Sequence, residues 1–98
     1  MSRKDAVDKA LRRLAPRIPS HEFGAVVDHA LTSIGLRTAA PEAAAWLSLV
    51  AYARHVFTEY DRLLGEGYDT DSARFFVRGE INDVLAGWGA ARSVGEID

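Results

Sequence analysis

The 98-residue chain has no cysteine. That absence excludes disulfides, thiolate metal sites and cysteine nucleophiles together. No apolar run approaches the roughly 20 residues of a membrane span, and Met1-Ser2-Arg3-Lys4 leads into no signal-peptide core. The expectation is a cytoplasmic protein that does not enter a membrane. Alternating strand patterns, internal repeats and low-complexity tracts are also missing. Of the catalytic templates, there is no phosphate-binding glycine loop and no Gly-x-Ser-x-Gly elbow; Gly65-Glu66-Gly67 follows no strand. The three histidines, His21, His29 and His55, lack the spacing that sets two imidazoles on one helix face. A metal site from His29, His55 and Asp61 needs three separate stretches to converge, so neither a metal nor a cofactor is expected.

What is present is a folded composition, 48% hydrophobic and 27% charged, in a length that suits one domain, residues 1–98. The net charge of −2 is unevenly spread. Residues 1–20 hold six basic groups (Arg3, Lys4, Lys9, Arg12, Arg13, Arg17) against Asp5 and Asp8, while the remainder holds six arginines against twelve acids. A basic first helix on an acidic body is either a solvated face or a weak, sequence-blind, salt-sensitive contact for nucleic acid. Aromatic side chains on the helices read as core rather than as stacking platforms.

The apolar spacing is helical almost throughout, which predicts an all-α compact bundle of about four helices with one long central helix. The first covers about 3–15, with Ser2 and Asp5 as a weak capping box, and Pro16 stops it. The second covers about 21–34, capped by Ser20, striped by Phe23, Val26, Val27, Ala30, Leu31 and Ile34, and closed by Gly35. The third, about 41–64, opens on Pro41 and gathers Trp46, Leu49, Val50, Ala53, Val56, Phe57, Tyr60, Leu63 and Leu64 within an arc of roughly 140°. The fourth, about 71–91, is capped by Asp69 or Thr70 and buries Ala73, Phe76, Val77, Ile81, Val84, Leu85 and Trp88. Gly79 and Gly87 inside it each cost about 1 kcal/mol relative to alanine, which close packing against a neighbouring helix explains as well as simple weakness. The tail from Ser93 is expected to fray. Leu47, Tyr52 and Phe75 fall off the main apolar arcs, so a homodimer burying a second face of the third or fourth helix is expected.

Residues 54–64 are the most specific stretch. On a straight helix Asp61, Arg54 and Thr58 form a polar strip along one edge of the core stripe, with spacings of three and four that allow contact. Asp61 is then expected to pair with Arg54 or with Arg74, while His55 faces away. An arginine braced in this way either presents its planar fork to a phosphate or carboxylate, or is one half of an internal ion pair.

The same residues resemble the uncharacterised bacterial and fungal family named domain of unknown function 2293. Its arginine-histidine pair, threonine, tyrosine-aspartate and two leucines are matched by Arg54, His55, Thr58, Tyr60, Asp61, Leu63 and Leu64. His29-Ala30 with the loop from Gly35, and Ala73-Arg74 with Trp88, are similar to flanking parts of the family, so the resemblance covers roughly residues 10–90. The family's glycine-rich basic loop is shortened here to Thr32–Thr38 with a single arginine, and no anion site is carried over to it. The resemblance supports the fold and the candidate residues without naming a reaction.

The expected function is a non-catalytic interaction module that contacts a macromolecule, a protein among the candidates, through the edge of Arg54, His55, Thr58 and Asp61, with His29 and Arg74 nearby. Two other classes stand beside it: a structural or oligomerising domain, and a small hydrolase or transferase with His55 or His29 as base. A cleft that excludes water is hard to build from under 100 residues.

Overall fold

The structure, a computed structural model, describes residues 1–95. Five helices follow in order: α1 (Arg3–Leu14), α2 (Ser20–Thr32), α3 (Pro41–Phe57), α4 (Tyr60–Gly65) and α5 (Thr70–Gly87), with no strand among the described residues. The all-α bundle is therefore present, but its long central helix is divided in two. α3 is the hub and packs on each of the other four helices. Val7 and Leu11 of α1, Val26 of α2, Leu49 and Ala53 of α3, and Val77, Ile81 and Leu85 of α5 supply its fully buried apolar side chains. Ser48, equally buried, donates its hydroxyl to the Val26 carbonyl at 2.7 Å and so satisfies its own polar atom at the α2–α3 contact.

Local chemistry explains most helix ends. Ser2 accepts the Asp5 N–H at 3.1 Å and Asp69 accepts the Ser72 N–H at 2.7 Å, each satisfying an orphan donor of a first turn. Gly67 and Gly89, with φ of 101° and 86°, each allow the paired backbone bonds that close a helix in the Schellman manner. Two expected caps differ. Helix α2 begins at Ser20 itself, after Pro19, without a side-chain cap bond, and it ends at Thr32 rather than at Gly35. Successive turns through residues 33–37 follow, and Ile34, past the helix end, is 80% exposed.

The ends of the chain are tied to the middle. In the connector between α1 and α2, Arg17 donates its backbone N–H to the Trp88 carbonyl at 2.8 Å. The tail is not frayed at Val94: its N–H and carbonyl both bond the Asn82 side chain, and Val94 is buried. The rest of the expected fraying, over residues 96–98, lies outside the described residues.

Candidate functional site

The break between α3 and α4 falls inside the stretch that the sequence marks out. A threonine near a helix C-terminus can turn its hydroxyl onto the carbonyl four residues back, in competition with continued helix. The Thr58 hydroxyl does so, donating to the Arg54 carbonyl, and it also accepts the Tyr60 N–H at 3.2 Å. One oxygen thus serves an orphan acceptor of α3 and an orphan donor of α4. Thr58 itself is extended, with φ −132° and ψ 174°.

The bend buries Tyr60, which is only 5% exposed. The Arg54 guanidinium sits 5.4 Å from the Tyr60 ring centroid, and the His55 ring meets the same tyrosine edge-on at 5.3 Å. His55 does not face away, contrary to the straight-helix expectation. Its Nδ1 lies 2.7 Å from an Asp61 carboxylate oxygen, a bond that joins the two sides of the break. An ionised carboxylate only accepts, so Nδ1 carries the proton. Asp61 therefore pairs with His55 and not with Arg54 or Arg74. The physical reason is the bend, which destroys the seven-residue register that aligns Arg54 and Asp61 on a straight helix.

The other nearby carboxylates are also taken. Arg62 bonds Glu59 at 2.7 Å and Glu66 at 2.6 Å. Arg54 is left half-buried without an ion pair among the described residues, and its Nε has no hydrogen-bond partner. Burial first, and the like charge of Arg74 second, hold its pKa below the usual arginine value against a smaller opposing effect of Tyr60. Arg74, exposed near the start of α5, has no ion pair among the described residues either. The site is thus two guanidinia, one half-buried over a tyrosine and one exposed, beside each other. His29 lies exposed in the last turn of α2, with no bond or ring contact to this cluster.

For catalysis the arrangement offers a histidine oriented by a carboxylate, but the adjacent hydroxyl of Thr58 is committed to backbone on both sides. A groove of about 240 Å³ lies elsewhere, between α1 and α2, lined by Lys4, Asp8, Phe23, Gly24, Val27, Asp28 and Leu31. No group of three or more metal-ligating side chains occurs among the described residues. No helix among them is long and apolar enough to cross a membrane.

Aromatic exposure was the signal that sequence spacing missed. Phe76, expected in the core, is 57% exposed, and Phe75 beside it is 58% exposed. Val56, Phe57 and Leu64 also leave the expected core and are exposed in part, Phe57 keeping ring contacts to Tyr52 and Trp88.

The family of uncharacterized conserved proteins DUF2293 matches residues 10–89, a span that contains the whole break and its flanking helices. The chain belongs to that family. Comparison with curated proteins and with solved structures gives no match. In this DUF2293 member the stretch Arg54-His55-x-x-Thr58-x-Tyr60-Asp61 has a concrete geometry. Thr58 pins the bend, Tyr60 fills it, His55 and Asp61 clasp across it, and Arg54 is held over the tyrosine with its charge unmatched.

Proposed function

We propose that the chain is a non-catalytic helical interaction module, which receives an acidic group of a protein partner at Arg54 with the help of Arg74. The observation that supports this most is the unmatched charge. A half-buried guanidinium is costly unless a counter-ion offsets its desolvation, and every neighbouring acid of the motif is bonded elsewhere. Its planar fork suits bidentate bonding to a carboxylate or phosphate, and stacking on Tyr60 holds that fork in one place.

A protein partner fits better than nucleic acid because the basic residues of α1 are largely engaged within the chain. Arg3 bonds the Leu36 carbonyl, Lys4 pairs with Asp8, Arg12 stacks on Phe23, Arg13 approaches Glu42 and Arg17 bonds the Ala86 carbonyl. The test is a titration of the isotopically labelled chain with a glutamate-rich peptide, using a lysine-rich peptide as control. The Arg54 Nε–H and Arg74 side-chain resonances should shift with the acidic peptide only, and Arg54→Ala should abolish the response while the chain stays folded. Shifts confined to other surfaces, or a response unchanged in Arg54→Ala, would overturn the assignment.

A further inference from the structure

The Arg54 guanidinium is closed on one side and open on the other. Its Nε is buried, while its two terminal nitrogens are neither buried nor hydrogen-bonded among the described residues. The Tyr60 ring that it contacts is itself held by burial and by the edge of His55. The open edge is therefore the pair of parallel Nη groups, presented from a fixed place.

Arg74 is the second cation. Ala73 before it is fully buried, which fixes this turn of α5, and the exposed Arg74 side chain is close enough to Arg54 to repel its charge. None of the nearby carboxylates matches either guanidinium. Asp61 is bonded to His55, and Glu59 and Glu66 share Arg62. Asp71, three residues before Arg74, makes no ion pair with it among the described residues.

We propose that the acidic group received here is a phosphate monoester on a side chain of a partner protein, an assignment that rests on the reading of Arg54 as a receiver of acidic groups and narrows it. The charge count selects it. A phosphate monoester carries about −1.5 to −2 near pH 7 and has three strong acceptor oxygens. A lone carboxylate carries one charge and leaves one guanidinium unmatched. Two carboxylates restore the balance only by crowding like charges and immobilising two flexible side chains. A phosphodiester of a nucleic-acid backbone again brings a single charge per group. The geometry agrees, because a guanidinium binds phosphate through two parallel N–H···O bonds, and the open Nη edge of Arg54 offers that pair. The surface beside Arg74 favours a protein segment over free phosphate. Arg78, one turn or about 6 Å further along α5, lies over the ring of exposed Phe75 at 5.2 Å, so a basic and apolar strip continues from the site.

The probe is one peptide of otherwise neutral sequence, made with serine, glutamate or phosphoserine at its centre. Each form is titrated to millimolar concentration into the labelled full chain, and the guanidinium resonances of Arg54 and Arg74 are followed. The phosphoserine form should bind about tenfold more tightly than the glutamate form, and the serine form should leave these signals unmoved. Arg74→Gln removes an exposed side chain and should keep the helical circular dichroism. It should bring the two acidic peptides to within about twofold of each other, because one guanidinium no longer distinguishes one charge from two. Arg54→Lys keeps the charge without the fork and should weaken the phosphoserine form by about tenfold or more. Arg37→Gln, before α3 and about 20 Å from Arg54 along that helix, should change nothing. Glutamate binding as tight as phosphoserine in the native chain would overturn the phosphate assignment and leave the acidic-group reading standing. Failure of both acidic peptides to shift Arg54 and Arg74 would overturn both. Inorganic phosphate, or an oligothymidylate, binding as tightly as the phosphoserine peptide would also overturn the proposal, the first by making the partner dispensable and the second by removing the need for a doubly charged group.

Discussion

The Thr58 hydroxyl is bonded from both sides, to the Arg54 carbonyl and the Tyr60 N–H, in a half-buried position. Thr58→Val keeps the shape and leaves two backbone groups without that partner. Unsatisfied buried groups cost about 1–3 kcal/mol, so the melting temperature should drop by several degrees, while Thr58→Ser should restore most of it. Arg54 should behave in the opposite way. Its charge is desolvated and repelled by Arg74, so Arg54→Met should leave thermal stability unchanged or raise it, although contact with the Tyr60 ring is altered. A large fall in melting temperature would mean that the guanidinium is a structural element after all. Asp69 supplies a pH prediction. The Ser72 backbone N–H, and then its side chain, stabilise the carboxylate and hold its pKa below the ordinary value. A carboxyl depressed in the fold adds stability that is complete above the unfolded pKa and is lost as pH falls through the lower folded one. Asp69→Asn keeps a capping oxygen but does not titrate, so the stability gap between the native chain and this variant should narrow from roughly pH 5 to 2. A gap that stays constant in acid denaturation curves would refute it.

Among the helices, the outcome turns on which interactions are local. Periodicity located α1, α2 and the start of α3 because each buries one stripe against a neighbour. It could not reveal the break at Thr58, since the residues from Trp46 to Leu64 keep a helical spacing across it. The deciding interaction is a side-chain bond to the backbone, which competes with the helix, while Tyr60 stays buried just beyond the turn. The candidate site was legible in part for the same reason. The residue types and the Arg54 edge were visible, but partner choice was not, because Asp61 meets His55 only after the bend. Gly79 tests the helix directly. A methyl there meets nothing, so Gly79→Ala should stabilise the chain by about 0.5–1 kcal/mol in denaturant titration.

Taken whole, the molecule depends on α3 as a shared surface. Leu49 is fully buried in the one helix that packs on all the others. Leu49→Ala should cost about 2–5 kcal/mol, the range for a buried leucine whose cavity cannot fully collapse. For a domain of about 100 residues that is a large share of total stability and a fall of ten degrees or more in melting temperature. A radius of gyration of 13.3 Å is that expected of a compact chain of about this length, about 13 Å. The loss should therefore appear as one cooperative transition rather than as local loosening.

Apolar spacing, caps and breakers were enough to establish an all-α bundle, the Ser2 and Asp69 caps, and most of the buried stripe, because these follow from 3.6-residue geometry and from bonds between near neighbours. The division of the central helix, the exposure of Phe76, the anchoring of Val94 by Asn82 and the unmatched charge of Arg54 follow from packing across the chain. A helical wheel orders side chains around one axis. Which of them meets water, which meets a carboxylate and where the axis must bend are set by the other helices, through burial and the satisfaction of polar groups.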